Sequence, residues 1–275
     1  MTTVGTAAVR LPGVWRIGWS RAVLELKMFF RERDQVVFTF SLPIVLLLLF
    51  GSIFGGAYEG TGLTVAQVYA CGLIGAGILS VSLQNLGISI AIERDDDALK
   101  RLKGTPMPRS AYFLGKILSV IAMTAIEVAA LLAVAVLVYD LRLPTGATAW
   151  FTFAWVVLLG LVAGCLLGIA ISSLPRSAKS ATAVITFPFI VLQFISGVYI
   201  PISQLPDWLV SVAALFPLRW VCQGLRSVFL GEAGVALEPA GSYELGKAAV
   251  VLGLWAVGGL ILCLTTFRWT RRQDT

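Results

Sequence analysis

Hydrophobic residues fall along this chain in long unbroken blocks, and polar residues are confined to the short stretches between them. The blocks cover residues 36–55, 65–92, 111–138, 149–174, 181–200 and 246–267. Each is near the roughly 20 residues an α-helix needs to cross a hydrocarbon layer. The pattern therefore predicts six transmembrane helices in one all-α integral membrane domain spanning 1–275. After residue 200 the pattern changes. Two shorter apolar pieces, 208–216 and 218–230, are parted by Pro217, and neither reaches spanning length. With the turn at 201–207 they predict a re-entrant helical hairpin over 201–230 that dips into one leaflet and returns. Ahead of the first block, residues 14–33 are amphipathic. Trp15, Trp19, Val23, Leu26 and Phe30 recur at helical spacing, Ile17, Leu24 and Met28 form a narrower second stripe, and Arg16, Arg21, Glu25, Lys27 and Arg31 fill the flanks. This reads as a helix lying in the bilayer interface.

Composition agrees with the blocks. Only 13% of the 275 residues are charged and 58% are hydrophobic, whereas soluble domains carry about 25% charge. The first 35 residues hold six Lys or Arg and no uninterrupted apolar core, so no secretory signal is expected there. Basic residues set the orientation. With both termini in the cytoplasm, seventeen of the 21 lie inside, and only Arg142, Arg219, Arg226 and Lys247 lie outside. The hairpin then belongs to the outer leaflet, and the expected location is a cell inner or plasma membrane.

Several chemistries are excluded by what is missing. There is no histidine, so His-based metal sites and Ser-His-Asp triads are ruled out. Cys71, Cys165, Cys222 and Cys263 are scattered without C-x-x-C spacing and read as small buried hydrophobes. No metal or cofactor is expected on this chain, and no nucleic-acid partner. Residues 241–248 (Gly-Ser-Tyr-Glu-Leu-Gly-Lys-Ala) come close to the phosphate-loop pattern G-x-x-x-x-G-K-[ST]. The last position is Ala, which has no hydroxyl for a magnesium ion, and a membrane block follows. The chain is not expected to hydrolyse nucleotide itself.

The densest charge lies at 93–110. Read as one helix, Glu93, Asp95, Asp96 and Asp97 occupy its start and Lys100, Arg101 and Lys103 its end, complementing the helix dipole. Asp96 with Lys100 and Asp97 with Arg101 are acid-before-base pairs four apart. Gly104, Thr105, Pro106 and Pro108 stop it. Ala98, Leu99 and Leu102 are its apolar residues. From the residues alone this is either a surface offered to a soluble partner or a loop that only sets topology. Glu127 is a lone acid inside the third block, where an ionisable group marks a functional candidate. Gln84 and Asn85 in the second block, with Phe187, Phe189, Gln193 and Phe194 in the fifth, would line an amphipathic cavity if those helices face each other; the alternative is ordinary packing. Gly160, Gly164 and Gly168 form a ridge at spacing four that invites a close helix neighbour.

Two motifs in this order resemble the ABC-2 type transporter permeases, closest in style to daunorubicin-resistance and nodulation-type members. One is Glu93-Arg94-Asp95-x-x-Ala98-Leu99-Lys100-Arg101-Leu102-x-x-Thr105-Pro106-x-Pro108. The other is Ser196-Gly197-x-x-x-Pro201-x-x-x-Leu205-Pro206-x-Trp208, with Phe216-Pro217-Leu218-Arg219 after it. The resemblance covers nearly the whole chain, although Asp96 and Asp97 stand where the family usually has Glu or Gly. It implies that 93–110 is a coupling loop docking on a separate nucleotide-binding subunit, one of a pair that carries the ATP and Mg2+. It implies that 14–33 is a connecting helix touching the same subunit through Trp15, Trp19, Arg21, Leu26 and Phe30. It implies that the hairpin caps the exit, and that two copies, or this chain and a paralogue, enclose a pathway between the second and fifth blocks. The implied function is export of a hydrophobic or amphipathic compound, such as a drug-like molecule or lipid. The alternatives are a proton-coupled secondary transporter using Glu127, or export of a lipid-linked glycan.

Overall fold

A computed structural model describes residues 13–58 and 60–267. The basic tail beyond Phe267, and Arg10, lie outside the described residues. Eleven α-helices follow in order among these residues: α1 (Val14–Arg31), α2 (Arg33–Ile53), α3 (Val65–Leu79), α4 (Leu86–Asp95), α5 (Ala98–Lys103), α6 (Arg109–Tyr139), α7 (Ala147–Ile171), α8 (Ala178–Ile195), α9 (Asp207–Ala213), α10 (Pro217–Phe229) and α11 (Leu245–Thr266). A single π-helical turn, Ser80–Asn85, joins α3 to α4, so that Val65–Asp95 is one continuous rod. The only extended pairing among the described residues is an isolated bridge between Ala57 and Thr64.

Six of these helical segments are long and apolar enough to cross a membrane, and they coincide with the six blocks to within a few residues. The largest trimming is at 181–200, where α8 stops at Ile195 because Gly197 turns to φ +81°. Local signals mark two of the starts. Thr64 and Gln67 form a capping box at α3, and Ser177 and Ser180 do the same at α8.

The α3–α4 rod is the centre of the bundle. In its most apolar window 83% of residues are buried, against 11% in α2, 22% in α8 and 17% in α11. Those three outer helices turn apolar faces outward, where lipid or another chain must cover them. The glycine ridge on α7 is what lets the rod come close. A Cβ at Gly164 would stand 2.0 Å from Ser82 Oγ, and one at Gly168 would stand 2.7 Å from the Leu83 carbonyl oxygen. The ridge therefore seats the π-turn.

One expectation is corrected here: the charged stretch is not one helix. α4 ends at Asp95, Asp97 takes a left-handed conformation at φ 57°, and α5 starts afresh at Ala98. Asp96 and Asp97 lie in this break, so their spacing to Lys100 and Arg101 does not stack them on one helical face. α1 packs on α6 through Gly18, Ala22, Glu25 and Phe29. Small residues allow the closer approach, and Trp15, Trp19 and Phe30 face outward. α9 and α10 meet at a sharp bend, 97°, with Pro217 at the first position of α10. α10 is buried almost throughout, between α3, α7 and α11. Its two arginines are covered by protein rather than lipid: Arg226 Nε bonds Glu238 Oε1 at 2.6 Å, and Arg219 donates to the Val210 carbonyl.

Candidate coupling site

The junction of α4 and α5 holds a buried polar cluster that fastens several helices together. Glu93, in the last turn of α4, accepts a hydrogen bond from Lys116 Nζ at 2.7 Å and one from the Tyr112 hydroxyl at 2.8 Å, both on α6. Arg21 on α1 reaches the same carboxylate at 3.1 Å and pairs with Glu25 at 2.7 Å. Lys116 also bonds Glu25 Oε2 at 2.8 Å and Ser89 Oγ at 2.8 Å. Its side chain is only 2% exposed. Two carboxylates and a hydroxyl surround this deep ammonium, as a buried polar group requires.

The next two residues reach other helices. Arg94 is buried and donates to the carbonyl of Ser172, which ends α7. Asp95 Oδ2 accepts the backbone N–H of Ala178 at 2.9 Å and so caps the start of α8. Three consecutive residues thus tie this junction to α1 and α6, to α7, and to α8. α5 is held down by Leu99, which is 0% exposed and packs with Phe29, Ile90 and Tyr112.

This changes what the coupling residues can do. Leu99, Glu93 and Arg94, expected on a docking surface, are turned inward and serve the protein's own packing. The surface left at α5 is basic and polar: Lys100, Arg101, Lys103, Thr105 and Pro106 are exposed, while Ala98, Leu102 and Pro108 are half-buried. On α1, Trp15, Trp19 and Phe30 remain at the surface, Leu26 is half-buried, and Arg21 belongs to the ion cluster.

The other sequence-named residues scatter. Gln84 and Asn85 line an open groove of about 870 Å3 between the α1–α2 junction, α4 and α8. Gln84 Nε2 donates to Thr186 Oγ1 at 3.0 Å across it. Their expected partners do not join them. Phe189 is buried in the core, Gln193 is buried and accepts from the Tyr199 hydroxyl, and Phe187 and Phe194 point outward from α8. In the late signature, Ser196 and Gly197 form the buried turn after α8, and Pro201 precedes a short 3-10 turn. Leu205 is half-buried, Pro206 caps α9, and Trp208 is exposed. Glu127 is 1% exposed, and neither carboxyl oxygen has a hydrogen-bond partner among the described residues. The stretch 241–248 is a turn running into α11, with Lys247 held by Glu244. No preceding strand is found among the described residues, as a phosphate loop would need.

Residues 19–230 match the ABC-2 type transporter family model. The chain belongs to that family. It is an ABC-2 permease, a multi-pass membrane protein. It is also similar to the probable multidrug ABC transporter permease YbhR of Escherichia coli (strain K12), at 26% identity over 149 residues, which is 54% of this chain and 39% of that protein. A second relative is the putative transport permease ycf38 of Pyropia yezoensis, at 26% identity over 194 residues, 68% of this chain and 65% of that one. The chain covers less than two thirds of the length of these curated relatives. Sequence reading of this permease missed Glu25, Ser89, Tyr112, Lys116 and Ser172. One signal was present. A lysine at position 116 sits inside an apolar block, and such a charge needs an acidic partner from another helix.

Proposed function

We propose that this permease is the membrane-spanning subunit of an ATP-binding cassette exporter. It moves a hydrophobic or amphipathic compound outward, with ATP and Mg2+ bound and hydrolysed on a separate pair of nucleotide-binding subunits. The observation that carries this reading is the junction at Glu93-Arg94-Asp95, where three residues grip α1, α6, α7 and α8 next to an exposed basic helix. A push on α5 has a rigid route into four helices, and tilting packed helices as bodies is how a binding cavity changes the side it faces. The exposed face of α5 (Lys100, Arg101, Lys103) suits an acidic surface on the ATPase. The lightly covered α2 and α8 suit a second permease copy or a paralogue as well as lipid. In this reading both termini and α5 are cytoplasmic, and the α9–α10 bend is a re-entrant hairpin near the outer face. The similarity to the E. coli probable multidrug permease favours a drug-like cargo.

The test uses inverted membrane vesicles in which the permease is expressed together with a candidate P-loop ATPase. ATP should drive uptake of a hydrophobic dye, and Arg101→Glu with Lys103→Glu should abolish both ATPase capture and uptake. Dye uptake driven by a proton gradient without ATP would overturn the proposal.

A further inference from the structure

The groove beside the π-turn carries a pattern of charge that the coupling role does not use. Its rim is built by Arg31, Glu32, Arg33 and Asp34, where α1 passes into α2. All four are exposed, and none makes an ion pair with another described residue. Two cations therefore alternate with two anions, and the rim has no net charge. The floor is different. It is formed by the amides of Gln84 and Asn85, with Thr182 of α8 opposite. Asn85 Nδ2 is buried there without a hydrogen-bond partner. π-turns inside α-helices are found frequently at functional sites, and this one carries both amides that line the groove. At about 870 Å3 the space falls within the range of small-molecule sites.

An apolar track leads away from the groove. From Gln35 in the lining, α2 continues with Phe38, Leu42, Val45 and Leu49 at steps of three and four, all exposed. A molecule seated with a polar head at the rim would lay a tail along this face. A head of one sign would pair with half of the rim and face like charge on the other half, Glu32 and Asp34 for an anion and Arg31 and Arg33 for a cation. A head carrying both signs satisfies the rim.

We infer that this groove is a head-group site for zwitterionic amphiphiles, those with a phosphate and an ammonium on one polar head and an acyl tail. This rests on the permease reading, and it narrows the substrate class to net-neutral, charge-separated heads.

The test is site-specific photo-crosslinking of the full chain in vesicles of equal parts phosphatidylethanolamine and phosphatidylglycerol. A photoreactive amino acid replaces Thr182 in the groove. In a second protein it replaces Leu264, exposed on α11 at the same end of the bundle, where Phe267 meets Phe113 edge to face. The Leu264 position reads the surrounding bilayer. Lipid captured at Thr182 should favour phosphatidylethanolamine over that baseline by about fivefold, as expected for a few exposed charge contacts. Arg33→Gln with Asp34→Asn should return the ratio to baseline while the thermal transition of the protein is unchanged. Equal lipid ratios at the two positions, enrichment of phosphatidylglycerol, or a preference untouched by the double variant would each overturn the site. Capture requires neither ATP nor a partner subunit, so its failure leaves the exporter reading standing. Loss of ATP-driven uptake with capture intact would count against the exporter reading alone.

Discussion

Lys116 Nζ lies 2.7 Å from Glu93 Oε1, and this contact joins the third apolar segment to the last turn before α5. Both groups are shielded from water, and Glu25 of α1 shares the same ammonium at 2.8 Å. Replacing Lys116 with Ala would leave the carboxylates of Glu25 and Glu93 with Arg21 as their one shared cation. Breaking a buried pair from one side costs about 3–5 kcal/mol. The Lys116→Ala protein should show a clearly lower thermal transition in detergent. Lys116→Met combined with Arg21→Gln, Glu25→Gln and Glu93→Gln should recover much of the loss, since all four charges of the cluster are then removed together. Equal stability of Lys116→Ala and wild type would mean the cluster is not closed as described.

Leu99 separates docking from packing. A residue on a partner interface can be truncated without harm to the isolated permease. A fully buried leucine cannot, and Leu→Ala in a core costs about 2–5 kcal/mol. Leu99→Ala should therefore destabilise the permease in the absence of any ATPase, whereas Arg101→Ala, at the exposed face, should not. Thermal unfolding followed by intrinsic tryptophan fluorescence distinguishes the two.

Gly164 and Gly168 should differ in how they can be rescued. A Cβ at 164 meets the Ser82 hydroxyl, so Gly164→Ala should be destabilised by about 1–3 kcal/mol and partly relieved by Ser82→Ala. A Cβ at 168 meets the carbonyl oxygens of Ser82 and Leu83, which no side-chain change removes. Gly168→Ala should resist rescue. Comparing the thermal transitions of Gly164→Ala and Gly168→Ala, each with and without Ser82→Ala, is sufficient.

Neither carboxyl oxygen of Glu127 has a hydrogen-bond partner among the described residues, and the side chain is almost completely buried. Glu127→Gln keeps the shape and stays neutral at every pH. It should fold, and it should support ATP-driven uptake at the wild-type rate. Loss of uptake in a well-folded Glu127→Gln protein would return proton chemistry to this residue.

What the sequence makes legible follows from how each signal arises. A span is read from composition over some twenty residues, and the hydrocarbon demands that composition, so the six segments are visible in the chain. The glycine ridge at 160, 164 and 168 is visible for a similar reason, because only a close neighbour explains three glycines on one helical face. Helix rotation is not written this way. Phe187 and Phe189 are two residues apart, yet one faces outward and the other is in the core, since nothing in an all-apolar helix distinguishes lipid from protein as a neighbour. The break at Asp97 is equally hidden. The run Asp95-Asp96-Asp97 suits a helix start by charge, but Asp95 is taken up in capping α8, a contact 83 residues away. Lys116 was counted for topology, and its partners came from two other segments of the chain.

The account stands most directly on whether the Glu93 cluster transmits motion. Efflux per ATP hydrolysed, measured for the wild-type complex and for Glu93→Gln in the same vesicles, tests this in one number. Glutamine retains hydrogen bonding to Tyr112 but loses the charge that gathers Lys116 and Arg21. Hydrolysis should persist, because the exposed face of α5 is untouched, while efflux per ATP falls by about tenfold, within the usual range of coupling energies. Unchanged efflux per ATP in Glu93→Gln would contradict the account.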